Sequence, residues 1–126
     1  MLKPTPTFPL LAAAFAGATA VLLGAFGAHA LRGLLDEHAL ATWRTAVDYQ
    51  FWHALALLGV GLLAQARSSR ALSVATIAFV TGLLLFCGSL YALALGAPRG
   101  FGAITPLGGV AFITGWLALG VHVARR

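Results

Sequence analysis

The chain has 126 residues, of which 60% are hydrophobic and only 9% charged. A soluble domain carries about 25% charged residues, so this composition cannot furnish a water-facing surface, and lipid must cover most of the exterior. The formal charge of +5 does not point to nucleic acid, because the eight basic residues sit at the ends of apolar segments and form no stripe on one face.

A membrane span needs about 20 apolar residues, and the chain accommodates four in a single domain over residues 1–126. Residues 1–9 hold Pro4, Pro6 and Pro9 and read as an extended lead-in. Span 1 covers roughly 10–31. Within it Ala12, Ala16, Ala20, Gly24 and Ala28 fall four apart and form a ridge with almost no side chain. Such a ridge lets a second helix approach backbone to backbone, which makes span 1 the expected centre of the assembly. Ala28-His29-Ala30 also has the small-x-small pattern of a signal-peptide cleavage site. The apolar stretch, however, exceeds the ~7–15 residues of a signal core.

After span 1 the chain turns polar. Asp36 can cap a helix, with Glu37 in its first turn. Ala39, Leu40, Trp43 and Val47 then follow helical spacing. An amphipathic helix over roughly 37–47 is expected at the interface, anchored by Trp43 and either separate from span 2 or joined to it through a bend. Span 2 covers roughly 49–66, with Tyr49 and Trp52 as an aromatic belt at its mouth. Arg67-Ser68-Ser69-Arg70 is a tight polar turn, and span 3 follows over roughly 72–95. Its Cys87 is the only cysteine, so no intrachain disulfide can form. Residues 96–102 have strong breaker chemistry and read as a flexible loop. Thr105 and Pro106 suit a cap and a first helical position. Span 4 then runs over roughly 106–123, with Gly108, Ala111 and Gly115 as a small-residue packing face.

Lys3, Arg67, Arg70, Arg125 and Arg126 share one side of this layout, and Arg32, Arg44 and Arg99 the other, five against three. The bias puts both termini in the cytoplasm. A faint internal repeat pairs Phe15 with Phe79, Gly24 with Gly88, Ala28 with Ala92, Ala30 with Ala94 and Leu31 with Leu95. A true duplication would make two helical hairpins in parallel orientation.

Four ordered motifs carry a family resemblance: Gly24-Ala-Phe-Gly-Ala-His-Ala-Leu31; Thr45-Ala-Val-Asp-Tyr-Gln50 with His53-Ala-Leu-Ala-Leu-Leu58; Phe86-Cys-Gly-Ser-Leu-Tyr91; and Ile104-Thr-Pro-Leu-Gly-Gly109 with Gly115-Trp116. In these the chain resembles the domain of unknown function 423 family, the YgdD-like small inner-membrane proteins. The resemblance covers nearly the whole chain and implies a four-span protein of the bacterial inner membrane with no assigned activity. Cys87 departs from the motif, where Ser is expected.

Several polar residues gather at one end of this layout. They are His29 at the end of span 1, Tyr49, Gln50 and His53 at the start of span 2, and Ser89 and Tyr91 late in span 3. Polar groups in lipid need partners, so these six are candidates for either an interhelical hydrogen-bond network or a ligand site. As a site, His29 and His53 would bind a metal with Asp48 or Glu37 as third ligand, or clamp a haem iron from both sides. Alternatively, His53, Tyr49 and Gln50 would bind a quinone or a lipid head group. Catalysis is disfavoured: there is no nucleophile triad, phosphate loop or paired-carboxylate spacing. A carrier would want a mid-membrane carboxylate, and none is placed there, so transport would require a pore between subunits. The expectation is an all-α four-transmembrane-helix bundle with an interfacial amphipathic helix between spans 1 and 2. It is expected to be non-enzymatic and without a cofactor, acting as an accessory, structural or assembly subunit. Its partners would be the lipid bilayer and a second copy or another membrane protein.

Overall fold

The structure, a computed structural model, describes residues 7–125. The described chain contains helices and no strand. Helix α1 is Thr7–His29 and α2 is Glu37–Ala66. The third span is built of α3 (Arg70–Gly82), one π-helical turn (Leu83–Cys87) and α4 (Gly88–Ala94). A 3₁₀ turn at Arg99–Ala103 leads into α5 (Ile104–Ala124). Four segments are long and apolar enough to cross a membrane: Thr7–His29, Glu37–Ala66, Arg70–Ala94 and Arg99–Ala124. Their outer faces are covered with large apolar side chains, among them Phe15, Ile77, Leu84 and Leu117, a surface suited to lipid. The lead-in expected at residues 1–9 falls outside the described residues as far as residue 6, and Thr7 to Pro9 already belong to α1. Pro9 is tolerated there because the first turn leaves its N–H positions unbonded.

The bundle is organised around α2. It packs along α1 on one side and along α3, the π turn and α4 on the other. α5 packs chiefly on α3 and the π turn and reaches α2 through aromatic side chains, with the His53 and Phe112 rings stacked 3.6 Å apart. Helix α1 therefore lies at the edge, not at the centre where its small-residue ridge would put it. Its buried residues are Ala13, Ala16, Ala20 and Gly27, whereas Ala28 is exposed. A strict four-residue spacing rotates by about 40° at each step, so one straight partner cannot follow all five ridge residues. The contact instead alternates between steps of three and four.

The 37–47 segment is helical, as its spacing predicts, but it is the beginning of α2 and not a separate interfacial helix. Nothing from Glu37 to Leu58 is glycine or proline, so no residue there breaks the hydrogen-bond ladder. Asp36 caps it as expected, accepting a 2.7 Å bond from the Ala39 N–H. Trp43 is not an interface anchor. It is 5% exposed, its indole lies against Gly27, and its Nε1 donates to the Leu23 carbonyl at 2.9 Å.

The second hairpin interlocks glycine with phenylalanine. A Cβ on Gly82 would enter the Phe112 ring, one on Gly115 the Phe79 ring, and one on Gly108 the Phe86 backbone itself. The π turn lies at this closest approach. Its widened helix is a local adjustment that lets two backbones meet. The third span ends at Gly96, whose φ of 99° allows Ala97 N–H to bond the Ala92 carbonyl and Gly96 N–H the Leu93 carbonyl, a Schellman stop. The 96–102 loop is partly ordered by the 3₁₀ turn. Thr105 does not cap α5, because that turn feeds directly into the helix and Ala103 occupies the cap position. The sequence repeat is not reflected in the packing: Phe15 is 73% exposed and its counterpart Phe79 fully buried.

Candidate functional site

The six residues singled out from the sequence divide into four places. Gln50 lies on the buried face of α2 and ties three helices together. Its Nε2 donates to the Ala16 carbonyl at 2.9 Å and to Thr19 Oγ1 at 2.7 Å. Its Oε1 accepts from Tyr91 Oη at 2.7 Å. Thr19 can accept because its own proton goes to the Phe15 carbonyl at 2.9 Å. Both amide hydrogens and the amide oxygen of Gln50 are thus used. Tyr91 is held from the other side by an edge contact with Trp43, ring centres 4.7 Å apart.

His53 is the second place. It is 5% exposed. Nδ1 lies 2.7 Å from the Tyr49 carbonyl, and Trp116 Nε1 donates to Nε2 at 3.2 Å. A carbonyl only accepts and an indole N–H only donates, so a single neutral tautomer, protonated on Nδ1, satisfies both. Neither ring nitrogen keeps a free lone pair for a metal. Around it Tyr49 stacks at 6.0 Å and Phe79 tilts at 5.7 Å. The imidazole behaves as one more aromatic ring in the seam between α2 and α5.

Ser89 is the third. Its Oγ donates to the Phe86 carbonyl at 3.0 Å and meets Thr105 Oγ1 at 2.6 Å, joining the third span to the start of α5. With the Ser89 proton engaged, Thr105 is the donor.

His29 stands apart from all of these. It is exposed at the end of α1, beside the stretch of α2 that holds Trp43. Ten residues separate Trp43 from His53 along α2, about 15 Å of helix rise. The expected metal or haem site between His29 and His53 is therefore not formed: the two imidazoles occupy different levels of the bundle, and one already has both nitrogens bonded. Among the described residues no group of three or more His, Cys, Asp or Glu side chains comes together to hold a metal ion.

Sequence reasoning missed Thr19 and Trp116 as partners, although Thr19 was visible as the one hydroxyl residue in span 1. It also missed a tie at the opposite end of the bundle. There Arg67 donates to the His122 carbonyl at 2.8 Å, and Ser69 Oγ shares a 2.6 Å bond with His122 Nδ1 while accepting from the Leu72 N–H that starts α3.

Two lipid-facing grooves touch these residues. One of about 390 Å³ runs between α1 and the third span, lined by Thr19, Gln50 and Tyr91 among Phe15, Leu84 and other apolar groups. The other, about 530 Å³, lies between α2 and α5 and is lined by Tyr49, Trp52, His53, Phe112 and Trp116.

Four apolar spans joined by internally satisfied polar ties define a small multi-pass integral membrane protein. Residues 23–109 match the family model described as "Protein of unknown function (DUF423)". The chain belongs to that family. It is 39% identical over 121 residues to the UPF0382 inner membrane protein YgdD of Escherichia coli K12, covering 96% of this chain and 92% of that one. It is 45% identical over 108 residues to the UPF0382 membrane protein YwdK of Bacillus subtilis 168, covering 84% and 87%. Against the UPF0382 membrane protein SERP0230 of Staphylococcus epidermidis it is 47% identical over 100 residues, covering 79% and 81%. No solved structure matches the chain.

Proposed function

We propose that the protein is a non-enzymatic structural or assembly subunit of the bacterial inner membrane, with both termini in the cytoplasm. The observation that carries this reading is that Gln50, His53, Ser89 and Tyr91 all hydrogen-bond within the bundle. Intramembrane bonds of this kind contribute only about 0.6 kcal/mol each on average, so the network specifies helix register more than it adds stability. A side chain that fixes register must hold still, whereas a catalytic acid, base or metal ligand must offer a free site. The orientation is supported by the excess of basic residues on the side of the termini. Two of the five counted there, Lys3 and Arg126, lie outside the described residues.

The test is the composition of the protein purified from native membranes. The expected result is neither stoichiometric metal nor a Soret band in wild type. A stoichiometric metal or haem that disappears with His53→Ala would overturn the proposal. A C-terminal reporter active only outside the cytoplasm would overturn the orientation.

One observation favours a second reading, a binding protein for a quinone or lipid. Two of the predicted residues, Gln50 and Tyr91, line the 390 Å³ groove together with Thr19 and mostly apolar side chains. A bound molecule would lie along α1 with its single polar group beside Tyr91 Oη. Mass spectrometry of the purified protein separates the readings: a stoichiometric quinone or lipid, reduced by Tyr91→Phe, supports the second.

A further inference from the structure

The charges of this chain are divided unequally between its two ends. One end holds the start of α1, the turn between α2 and α3, and the close of α5. Among the described residues it carries Arg67, Arg70 and Arg125 and no acidic side chain. The three acids, Asp36, Glu37 and Asp48, lie toward the opposite end, where Arg32, Arg44 and Arg99 match them in number. The first end is therefore cationic and the second balanced. Arg67 donates to the His122 carbonyl, a neutral group that leaves its charge uncompensated.

A groove opens at the cationic end. It measures about 280 Å³ and is lined by Phe8 of α1, Val60 of α2, and Leu72 and Ile77 of α3, together with Ser68 and Ser73. Arg70, Ser73 and Ile77 follow one another at steps of three and four residues, so they share one face of α3. Arg70, the first residue of that helix, stands one turn before Ser73, at the end of the groove that Ser68 lines. From Arg70 to Ile77 the helix rises about 10 Å, with charge at the rim and an apolar wall below it. Ile77 is 67% exposed and Phe8 61%, so the wall is open to lipid.

The polar groups at the rim define what fits there. Arg70 and Ser68 are exposed, and among the described residues neither side chain has a partner. A guanidinium only donates, and a hydroxyl is able to donate. Such a pair calls for an anionic acceptor, and arginine meets a phosphate with two parallel bonds. Deeper in the groove Thr76 gives its proton to the Leu72 carbonyl at 2.9 Å, which leaves that level to hydrocarbon. Basic pockets between spans are a form in which membrane proteins hold acidic lipid head groups.

We propose that this groove holds one anionic phospholipid, its phosphodiester on Arg70 and Ser68 and an acyl chain against Leu72, Ile77 and Phe8. A free phosphate would leave the apolar wall unused. A zwitterionic lipid would bring a cation to an end that has no acid to receive it. The groove is separate from the one beside Gln50 and Tyr91, and the proposal depends neither on the structural-subunit reading nor on the orientation.

Native mass spectrometry of the full chain in detergent, titrated with dioleoyl phosphatidylglycerol or dioleoyl phosphatidylcholine, tests it. One phosphatidylglycerol per chain is expected, bound about fivefold more tightly than phosphatidylcholine, the worth of one basic residue near an anionic surface. Arg70→Gln should remove that preference, and Arg99→Gln at the balanced end should leave it intact. Ser73→Trp keeps every charge and fills the groove from an exposed position, so it should abolish the one-to-one complex. Inorganic phosphate should not displace the lipid. Circular dichroism confirms the helicity of each variant, and the Arg70→Gln comparison decides even where Ser73→Trp fails to fold. Equal affinity for the two lipids, an Arg70→Gln loss no greater than that of Arg99→Gln, a folded Ser73→Trp variant that still holds the lipid, or displacement by phosphate would each overturn the proposal.

Discussion

The two hairpins of this bundle are held by different chemistry. α1 and α2 meet through alanines, with Trp43 seated on Gly27 and the Gln50 amide gripping the α1 backbone at Ala16. The third span and α5 meet through Phe79, Phe86 and Phe112, each set against a glycine of the opposite helix. The first seam is thin and polar at its middle, the second thick and aromatic. Lipid removes the hydrophobic drive between helices, so contact area and hydrogen bonds decide which seam is stronger. What separates the two is the number of neighbours: α1 packs on α2 alone, which makes it the detachable element, whereas α2, the third span and α5 pack on one another and form the stable body.

The largest expected effect breaks the aromatic seam. Gly108→Val drives its side chain into the Phe86 backbone, which cannot rotate away. Overpacking typically costs about 1–3 kcal/mol, and contact with backbone puts this variant at about 3 kcal/mol or more. The unfolding free energy in bilayer discs should fall by that amount, with α5 amides losing hydrogen-exchange protection. Gly27→Val is expected to cost less, about 2 kcal/mol, because the Trp43 indole it meets is a side chain that can swing out. Exchange should then rise in α1 and the start of α2 while α5 stays protected. The smallest effect is His53→Phe. It keeps a ring against Phe112 and loses only the Tyr49 and Trp116 bonds, so a loss of about 0.6 kcal/mol per bond is expected, with a shifted Trp116 fluorescence. A collapse of the bundle in that variant would show that His53 does more than fill the seam.

The spans themselves were legible because apolar length is a direct physical requirement of a bilayer, and Asp36, Gly108 and Gly115 acted locally as their chemistry dictates. Which helix is central was not legible. Small residues announce that a helix can be approached closely, but Ala16 and Ala20 say nothing of how many partners approach. Trp43 was misplaced for a related reason: the spacing of Ala39, Leu40, Trp43 and Val47 is the same whether a helix lies on a membrane or on another helix. Of the six candidate site residues, the side chains of Gln50, His53, Ser89 and Tyr91 hydrogen-bond inside the bundle, whereas His29 is exposed at the end of α1. The partners were harder to assign, because Gln50 and Tyr91 are 41 positions apart and His53 and Trp116 are 63. The π turn has no signal within its own five residues, since it answers to Gly108 on a different helix.

The central claim is that the intramembrane polar residues join helices through α2. The most direct measurement is a double-mutant cycle on unfolding free energy in a bilayer, combining Gln50→Leu with Tyr91→Phe. A coupling of about 0.6–1.7 kcal/mol, the range of measured intramembrane hydrogen bonds, is the predicted result. Strict additivity of the two substitutions would contradict it.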